Sequence, residues 1–385
     1  MSLRRPIGNE IMAKKIIVIP DSFKACLSSY EVANIIKDAL KAVIPDAEVI
    51  TIPVSDGGEG LVDSYLTAVG GQKIALSTSG PYQERIDSFY GMINPQTAII
   101  EMAASAGLTL VKDRPNPSLT TTYGVGELII DAMNKGASTI ILGLGGSATN
   151  DMGVGMAHCL GVQFFNRNHD LFLPVGGTLK EIKTINIDKL HPLIKKTKFI
   201  ALCDVKNPLY GPQGAAFVYA KQKGANDAMI LELDENMRQL ALVLQKQFGM
   251  EVDFAGAGAA GGMTVSAKLF LHAEIKSGIE TFLKMIKFQD LIKKADLIIS
   301  GEGKFDSQSL SGKVIGGIAA EAAFAQVPLY ALVGQKADMD EANYPQALKK
   351  VISLMEYSHS LADSFLNARF YLSKATKELA KSLFK

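Results

Sequence analysis

The chain has 385 residues, of which 48% are hydrophobic and 21% charged, so it holds ample apolar material for a core and disorder as its main state is excluded. That length favours two domains or one large α/β unit. Lys and Arg number 40 against 39 Asp and Glu, a formal net charge of +1, which excludes broad steering toward nucleic acid or an anionic membrane; any anion must be held locally.

The first eleven residues, MSLRRPIGNEI, lack the apolar centre of a signal peptide and read as an appended or unstructured extension. An Ile- and Val-rich run at 14–20 then leads into Asp21-Ser22-Phe23-Lys24. Ser28 and Glu31 form a capping-box pair at the head of an amphipathic helix that stops at Pro45. A second apolar run, 48–54, opens into SDGGEG at 55–60; its glycines allow close backbone approach, and Asp56 and Glu59 offer carboxylates for Mg²⁺ or a proton. The plain alternative for Asp56 is a cap on the following helix.

Further runs lie at 97–102, 138–143, 198–204, 296–300, 329–333 and 349–354, and helical patterns separate most of them. Continuous apolar runs read as strands buried on both faces, and alternation with helices implies parallel sheets. Thr121 and Thr122 precede a helical pattern, where an N-cap is the plain role. The run at 138–143 enters the richest phosphate cradle, 143–153, with Gly145, Gly146, Ser147, Thr149, Asn150 and Asp151. The run at 198–204 exits through Asp204 and Asn207, and 296–300 exits through Gly301, Glu302, Gly303, Lys304 and Asp306 toward Lys313. The chain closes on a helical stripe of Leu361, Phe365, Ala368, Leu372, Ala375, Leu379 and Leu383.

Several classes fall away. No stretch reaches the roughly 18 to 20 apolar residues of a membrane span. Cys26, Cys159 and Cys203 are few, odd in number and far apart, which suits free thiols in a cytoplasmic protein, and the five histidines lack metal-ligand spacing. Neither a P-loop signature nor the protein-kinase set occurs. Residues 143–148 match the G-x-G-x-x-A form of a dinucleotide loop, but the following segment, 162–168, offers no acidic residue for the ribose. A full G-x-G-x-x-G at 256–261 follows a poor strand and reads as a glycine turn opening a helix.

In order, PDSFK (20–24), SDGGEG (55–60), TTYGVGEL (121–128), GGSATND (145–151), CDVKNPLYGPQGA (203–215), GAGAAGG (256–262) and GEGKFDSQSLSGK (301–313) resemble the bacterial type I glycerate kinase family, from about residue 12 onward. The resemblance implies ATP- and Mg²⁺-dependent phosphorylation of D-glycerate, usually to 2-phosphoglycerate rather than 3-phosphoglycerate. It implies two α/β domains with largely parallel sheets: a discontinuous Rossmann-like domain, 1–68 plus 285–385, and an inserted domain, 69–284, with the active site in the cleft between them. Departures are mild: Ala25, Cys26, Met152 and Met263 stand where relatives carry other small, acidic or aliphatic residues.

The roles expected on that footing are as follows. Asp56 orients or deprotonates the acceptor hydroxyl, with Lys24 and Lys313 as neutralising cations. Gly145, Gly146, Ser147, Asn150, Asp151, Gly301 and Gly303 hold ATP, and Asp21, Ser22, Thr121, Asp204 and Asn207 hold glycerate. Asp56, Glu302 and Asp306 hold Mg²⁺. A homodimer is compatible with the resemblance; nucleic acid and membrane partners are not expected. The rival classes are an NAD-dependent hydroxy-acid dehydrogenase and a non-catalytic metabolite-binding protein.

Overall fold

The computed structural model describes residues 14–23, 26–55, 57–310 and 312–384; the leading extension, Lys24, Ala25 and Asp56 lie outside the described residues. In chain order the strands are β1 (Lys15–Val18), β2 (Glu48–Thr51), β3 (Gln72–Ser79), β4 (Arg85–Asn94), β5 (Thr97–Glu101), β6 (Thr139–Gly143), β7 (Gln163–Phe165), β8 (Leu171–Phe172), β9 (Thr184–Asn186), β10 (Lys198–Leu202), β11 (Glu274–Lys276), β12 (Leu297–Phe305), β13 (Leu329–Lys336) and β14 (Leu348–Ser353). The chain divides into two compact units, Met1–Val54 with Lys287–Lys385, and Ser55–Ile286.

The first unit is a five-stranded, wholly parallel sheet in the order β14-β13-β12-β1-β2. The central strands β1 and β12 are buried on both faces: Ile16, Val18, Leu297 and Ile299, with Leu332 of β13, share a core with helices Ser29–Val43 and Ala368–Phe384, while Ile17 and Ile298 are equally buried. Helix Ser29–Val43 starts as the sequence predicts, with Ser28 and Glu31 closing a capping box, and its C-cap, Ile44, precedes Pro45. In such open sheets ligands bind beyond the carboxyl ends of the strands where the order reverses, here between β1 and β12.

The second unit carries a six-stranded sheet, β11-β10-β6-β5-β4-β3, parallel from β11 to β5 and antiparallel from β5 to β3. A small antiparallel sheet, β8-β7-β9, stands apart from it. One core gathers Ile100, Leu128, Ile140, Leu142 and Phe199 under helix Tyr123–Asn134, and another gathers Phe164, Leu240 and Phe270 around helix Asp227–Phe248.

All eight apolar runs form strands, and the fold is α/β with largely parallel sheets. Two expectations are corrected. The closing helix is two helices, Leu361–Leu366 and Ala368–Phe384, parted at Asn367; Leu361 and Phe365 are 45% and 47% exposed, so the buried stripe begins only at Ala368. Residues 301–305 are no loop but the last half of β12, paired with β13 alone. At 143–148 the structure agrees with the missing acidic residue: the helix after it leads to β7, which belongs to the separate antiparallel sheet, so the parallel βαβ unit of a dinucleotide fingerprint is absent there. Among the described residues no helix is long and apolar enough to cross a membrane.

Candidate functional site

In the first unit the exits of β1 and β12 meet at the switch point. The Asp21 amide donates to the Gly301 carbonyl at 2.8 Å, and the Ser300 hydroxyl donates to the Ile19 carbonyl at 2.8 Å. Glycine at 301 is a matter of space, since a Cβ there would strike the Leu332 carbonyl oxygen on β13. Asp21 and Glu302 are thereby drawn to one edge, 6% and 7% exposed, and the Ser22 amide donates to Asp21 Oδ1 at 2.6 Å.

Beyond β12 the chain turns at Asp306, whose Oδ1 accepts from the Gln308 amide at 3.0 Å and whose Oδ2 lies 3.7 Å from Lys304. Lys313 is the N-cap residue of helix Val314–Ala325, which has no side-chain cap. That leaves an electropositive helix terminus suited to an anion.

In the second unit two glycine turns from different strand exits pack backbone to backbone. The Gly145 amide donates to the Gly57 carbonyl at 2.9 Å, and a Cβ at Gly145 would come within 2.5 Å of Gly58 Cα. No side chain larger than hydrogen fits between them. Helix Leu61–Val69 starts behind Gly60 with no side-chain cap from the described residues. Instead Glu101, at the end of β5 and 4% exposed, accepts from the Val62 amide at 3.3 Å; burial pushes its carboxyl up to about 7.

Asp151 braces the cradle. It is fully buried; its Oδ2 accepts from the Thr122 amide and hydroxyl, both at 2.8 Å, and from the Gly155 amide at 3.3 Å, while Oδ1 accepts from the Gly153 amide at 3.1 Å. Burial raises its pKa against the opposing pull of these donors. Thr122 stands at the N-cap of helix Tyr123–Asn134 but spends its hydroxyl on Asp151, and Thr121 Oγ1 accepts from the Tyr123 amide at 3.2 Å. Neither threonine is a simple cap.

Thr149 Oγ1 and Asn150 Oδ1 are buried without a hydrogen-bond partner, while Asn150 Nδ2 lies 3.1 Å from Met237 Sδ. The 256–262 segment underlies them: Gly261 accepts from the Met152 amide at 2.9 Å, and three successive residues, Ala260, Gly261 and Gly262, are left-handed before helix Met263–Phe270 begins. Asn207 joins the same network. Its carbonyl accepts from Gly256 and Gly258, its Nδ2 donates to Gln213 at 2.8 Å, and its Oδ1 accepts from Tyr219 at 2.6 Å. Asp204 accepts from the Gly278 amide at 2.9 Å, at the start of helix Gly278–Met285.

Among the predicted residues, then, Gly145, Gly146, Ser147, Asn150, Asp151 and Thr121 are gathered in the second unit, with Asn207 bound to the same framework. Asp21, Ser22, Gly301, Glu302 and Gly303 are gathered in the first, with Asp306 and Lys313 following on. Lys24 and Asp56 lie outside the described residues. One residue escaped notice: Lys223, 2% exposed, donates to Ser147 Oγ at 2.9 Å and to the Thr149 carbonyl at 2.6 Å. In sequence it is one of two lysines in Lys221-Gln222-Lys223-Gly224, with no local pattern that sets it apart.

The donor sets fit the chemistry expected of them. A glycine turn with Gly146 at φ 76° suits phosphate oxygens through the amides other than those of Gly145 and Ala148, which donate to Gly57 and Ala106. Among the described residues no three His, Cys, Asp or Glu side chains group to hold a metal. Mg²⁺ needs no such cage, because it takes one or two carboxylates and completes its shell with phosphate and water, for which Glu302 and Asp306 offer hard oxygens.

Comparison with known proteins follows the same line. The model of the glycerate kinase family matches residues 16–384. A Bacillus cereus protein named glycerate kinase is 40% identical over 369 residues, covering 95% of this chain and 97% of its own. An Escherichia coli protein named glycerate 2-kinase is 39% identical over 372 residues, covering 96% and 98%. A crystal structure from Salmonella typhimurium LT2, provisionally described as glycerate kinase 2, superposes with a TM-score of 0.81 at 35% identity, covering 96% of this chain and 98% of that one.

Proposed function

The chain belongs to the glycerate kinase family, and from that premise we propose that it transfers the γ-phosphate of ATP to D-glycerate, giving 2-phosphoglycerate. The observation that carries the proposal is the Gly145 to Gly57 hydrogen bond of 2.9 Å, which sets the acidic turn against the glycine cradle at one edge of a parallel sheet. The choice of product is supported by the name of the Escherichia coli relative, glycerate 2-kinase.

In this reading the triphosphate lies on the 145–150 turn through the amides of Gly146, Ser147, Thr149 and Asn150, those of Gly145 and Ala148 being engaged by Gly57 and Ala106, and Gly301 and Gly303 leave room for nucleotide at the β12 edge. Lys24 and Lys313 neutralise charge on the moving phosphate or the glycerate carboxylate. Asp21, Ser22, Thr121, Asp204 and Asn207 are the proposed glycerate contacts. Mg²⁺, when bound with ATP, supplies charge neutralisation on the phosphates, with Glu302, Asp306 and Asp56 as its proposed ligands. Asp56 orients the acceptor hydroxyl and takes its proton. Asp151, its oxygens engaged by four protein donors, acts on ATP through the shape of the turn. A cytoplasmic setting belongs to the proposal and is supported by free Cys26, Cys159 and Cys203.

The test is glycerate-dependent release of ADP from Mg-ATP, followed by phosphorus NMR of the product. Release without glycerate, or none with it, rejects the kinase reading; a phosphorus signal on the primary hydroxyl rejects the 2-phosphoglycerate product. Glycerate-dependent reduction of NAD would revive the dehydrogenase class.

A further inference from the structure

Lys223 sits where a lysine is least expected. Its ammonium is withdrawn from solvent, 2% exposed, at the end of the short 3₁₀ turn Lys221–Lys223, which closes on Gly224 in a left-handed conformation at φ 96°. It reaches under the cradle and holds two points of the turn at once, Ser147 Oγ at 2.9 Å and the Thr149 carbonyl at 2.6 Å. Two neutral acceptors could be served by a neutral amide side chain, so hydrogen bonding alone does not account for a buried cation. Asp151 is the charged group acting on it among the described residues, and that carboxylate already accepts from four protein donors.

We propose that Lys223 is a positioning residue for phosphate binding: it pins the 145–150 turn from beneath and sets a positive charge under the anion received on the turn's amides. This rests on the kinase reading and deepens it. The charge is adjustable. Burial lowers the Lys223 pKa to about 7, the Asp151 carboxylate drawing it back up, so near neutrality the free protein holds it in both forms. An arriving polyphosphate favours the ammonium, so binding takes up a proton. ATP affinity therefore falls as pH rises above about 7, through the pKa of the free protein.

The experiment is calorimetric titration of the intact protein with Mg-ATP across neutral to alkaline pH, for wild type, Lys223→Met and Lys223→Arg. Lys223→Met is expected to bind ATP about tenfold or more weaker near neutrality, as for loss of a charged hydrogen bond, and to lose the pH dependence. Lys223→Arg, permanently charged, is expected to keep most of the affinity and to lose the alkaline decline. A folded Lys223→Met with wild-type affinity and slope overturns the proposal and leaves the kinase reading intact. Should that variant not fold, wild type decides by itself: titrations above about pH 7 in buffers of different ionisation enthalpy report net proton uptake on binding ATP, and zero uptake overturns the proposal. Wild type that binds no ATP rejects both readings.

Discussion

Gly145 donates its amide hydrogen to the carbonyl of Gly57 at 2.9 Å, and no atom of either residue's own side chain stands between the two turns. Gly145→Ala puts a methyl within 2.5 Å of Gly58 Cα and 2.7 Å of its nitrogen, both backbone atoms that cannot swing aside. The expected cost is about 1–3 kcal/mol in urea unfolding, with a fall in turnover, because the turns must separate to admit it. Unchanged stability and turnover would show that the two turns move apart freely.

Asp56→Asn removes the proposed base while keeping size and shape. Turnover should fall by about 10²-fold or more, within the usual range for general-base catalysis, with little change in thermal stability. Near wild-type kcat would take Asp56 out of that role.

Glu101 makes stability depend on pH. Burial raises its carboxyl from 4.5 to about 7 in the folded state, so the folded chain holds a proton that the unfolded chain has shed. Stability from this group is full below about 4.5 and is lost as pH rises toward about 7, by an order of 2–3 kcal/mol for full burial. Glu101→Gln keeps an oxygen for the Val62 amide and removes the charge. It should flatten that part of the curve and gain on wild type at pH 8. Parallel unfolding curves for the two proteins would contradict this.

Tyr65 buries its hydroxyl with no hydrogen-bond partner, while its ring meets Phe282 edge-on at 5.1 Å. Tyr65→Phe keeps the ring and removes an unsatisfied group, so melting should stay put or stabilise by up to about 1 kcal/mol. A clear loss would mean that the hydroxyl holds a partner such as an ordered water.

Much of the fold is legible in the residues because its central strands, such as β1, β6 and β12, are parallel and buried on both faces, which leaves continuous Ile and Val runs. The hairpin of β3 and β4 could not, since its residues alternate between exposed and buried at the sheet edge and make no such run. Glycines at 301 and 303 suggest a turn in sequence, whereas Gly301 lets β12 lie close to Leu332. In the final helix the stripe continued through Leu361 and Phe365 although only the later part packs, and amphipathic periodicity does not record where a neighbour ends. At the site, glycine and hydroxyl types point to the turns at 57–60 and 143–153, which the structure packs backbone to backbone. Lys223 stayed hidden because nothing local distinguishes a buried lysine from a solvated one.

The sheet of the first unit pairs Ile16 on β1 with Leu297 on β12, so its halves are separated by the whole inserted unit. During synthesis β1 and β2 emerge early but lack their central partner until most of the chain has been made, whereas every strand of the second unit is available sooner. The inserted unit is thus placed to fold on the ribosome while the apolar β1, with Ile16, Ile17 and Val18, waits with its β12 edge unpaired. Truncations downstream of β11 should leave a folded insert trailing an aggregation-prone leader that needs chaperone cover.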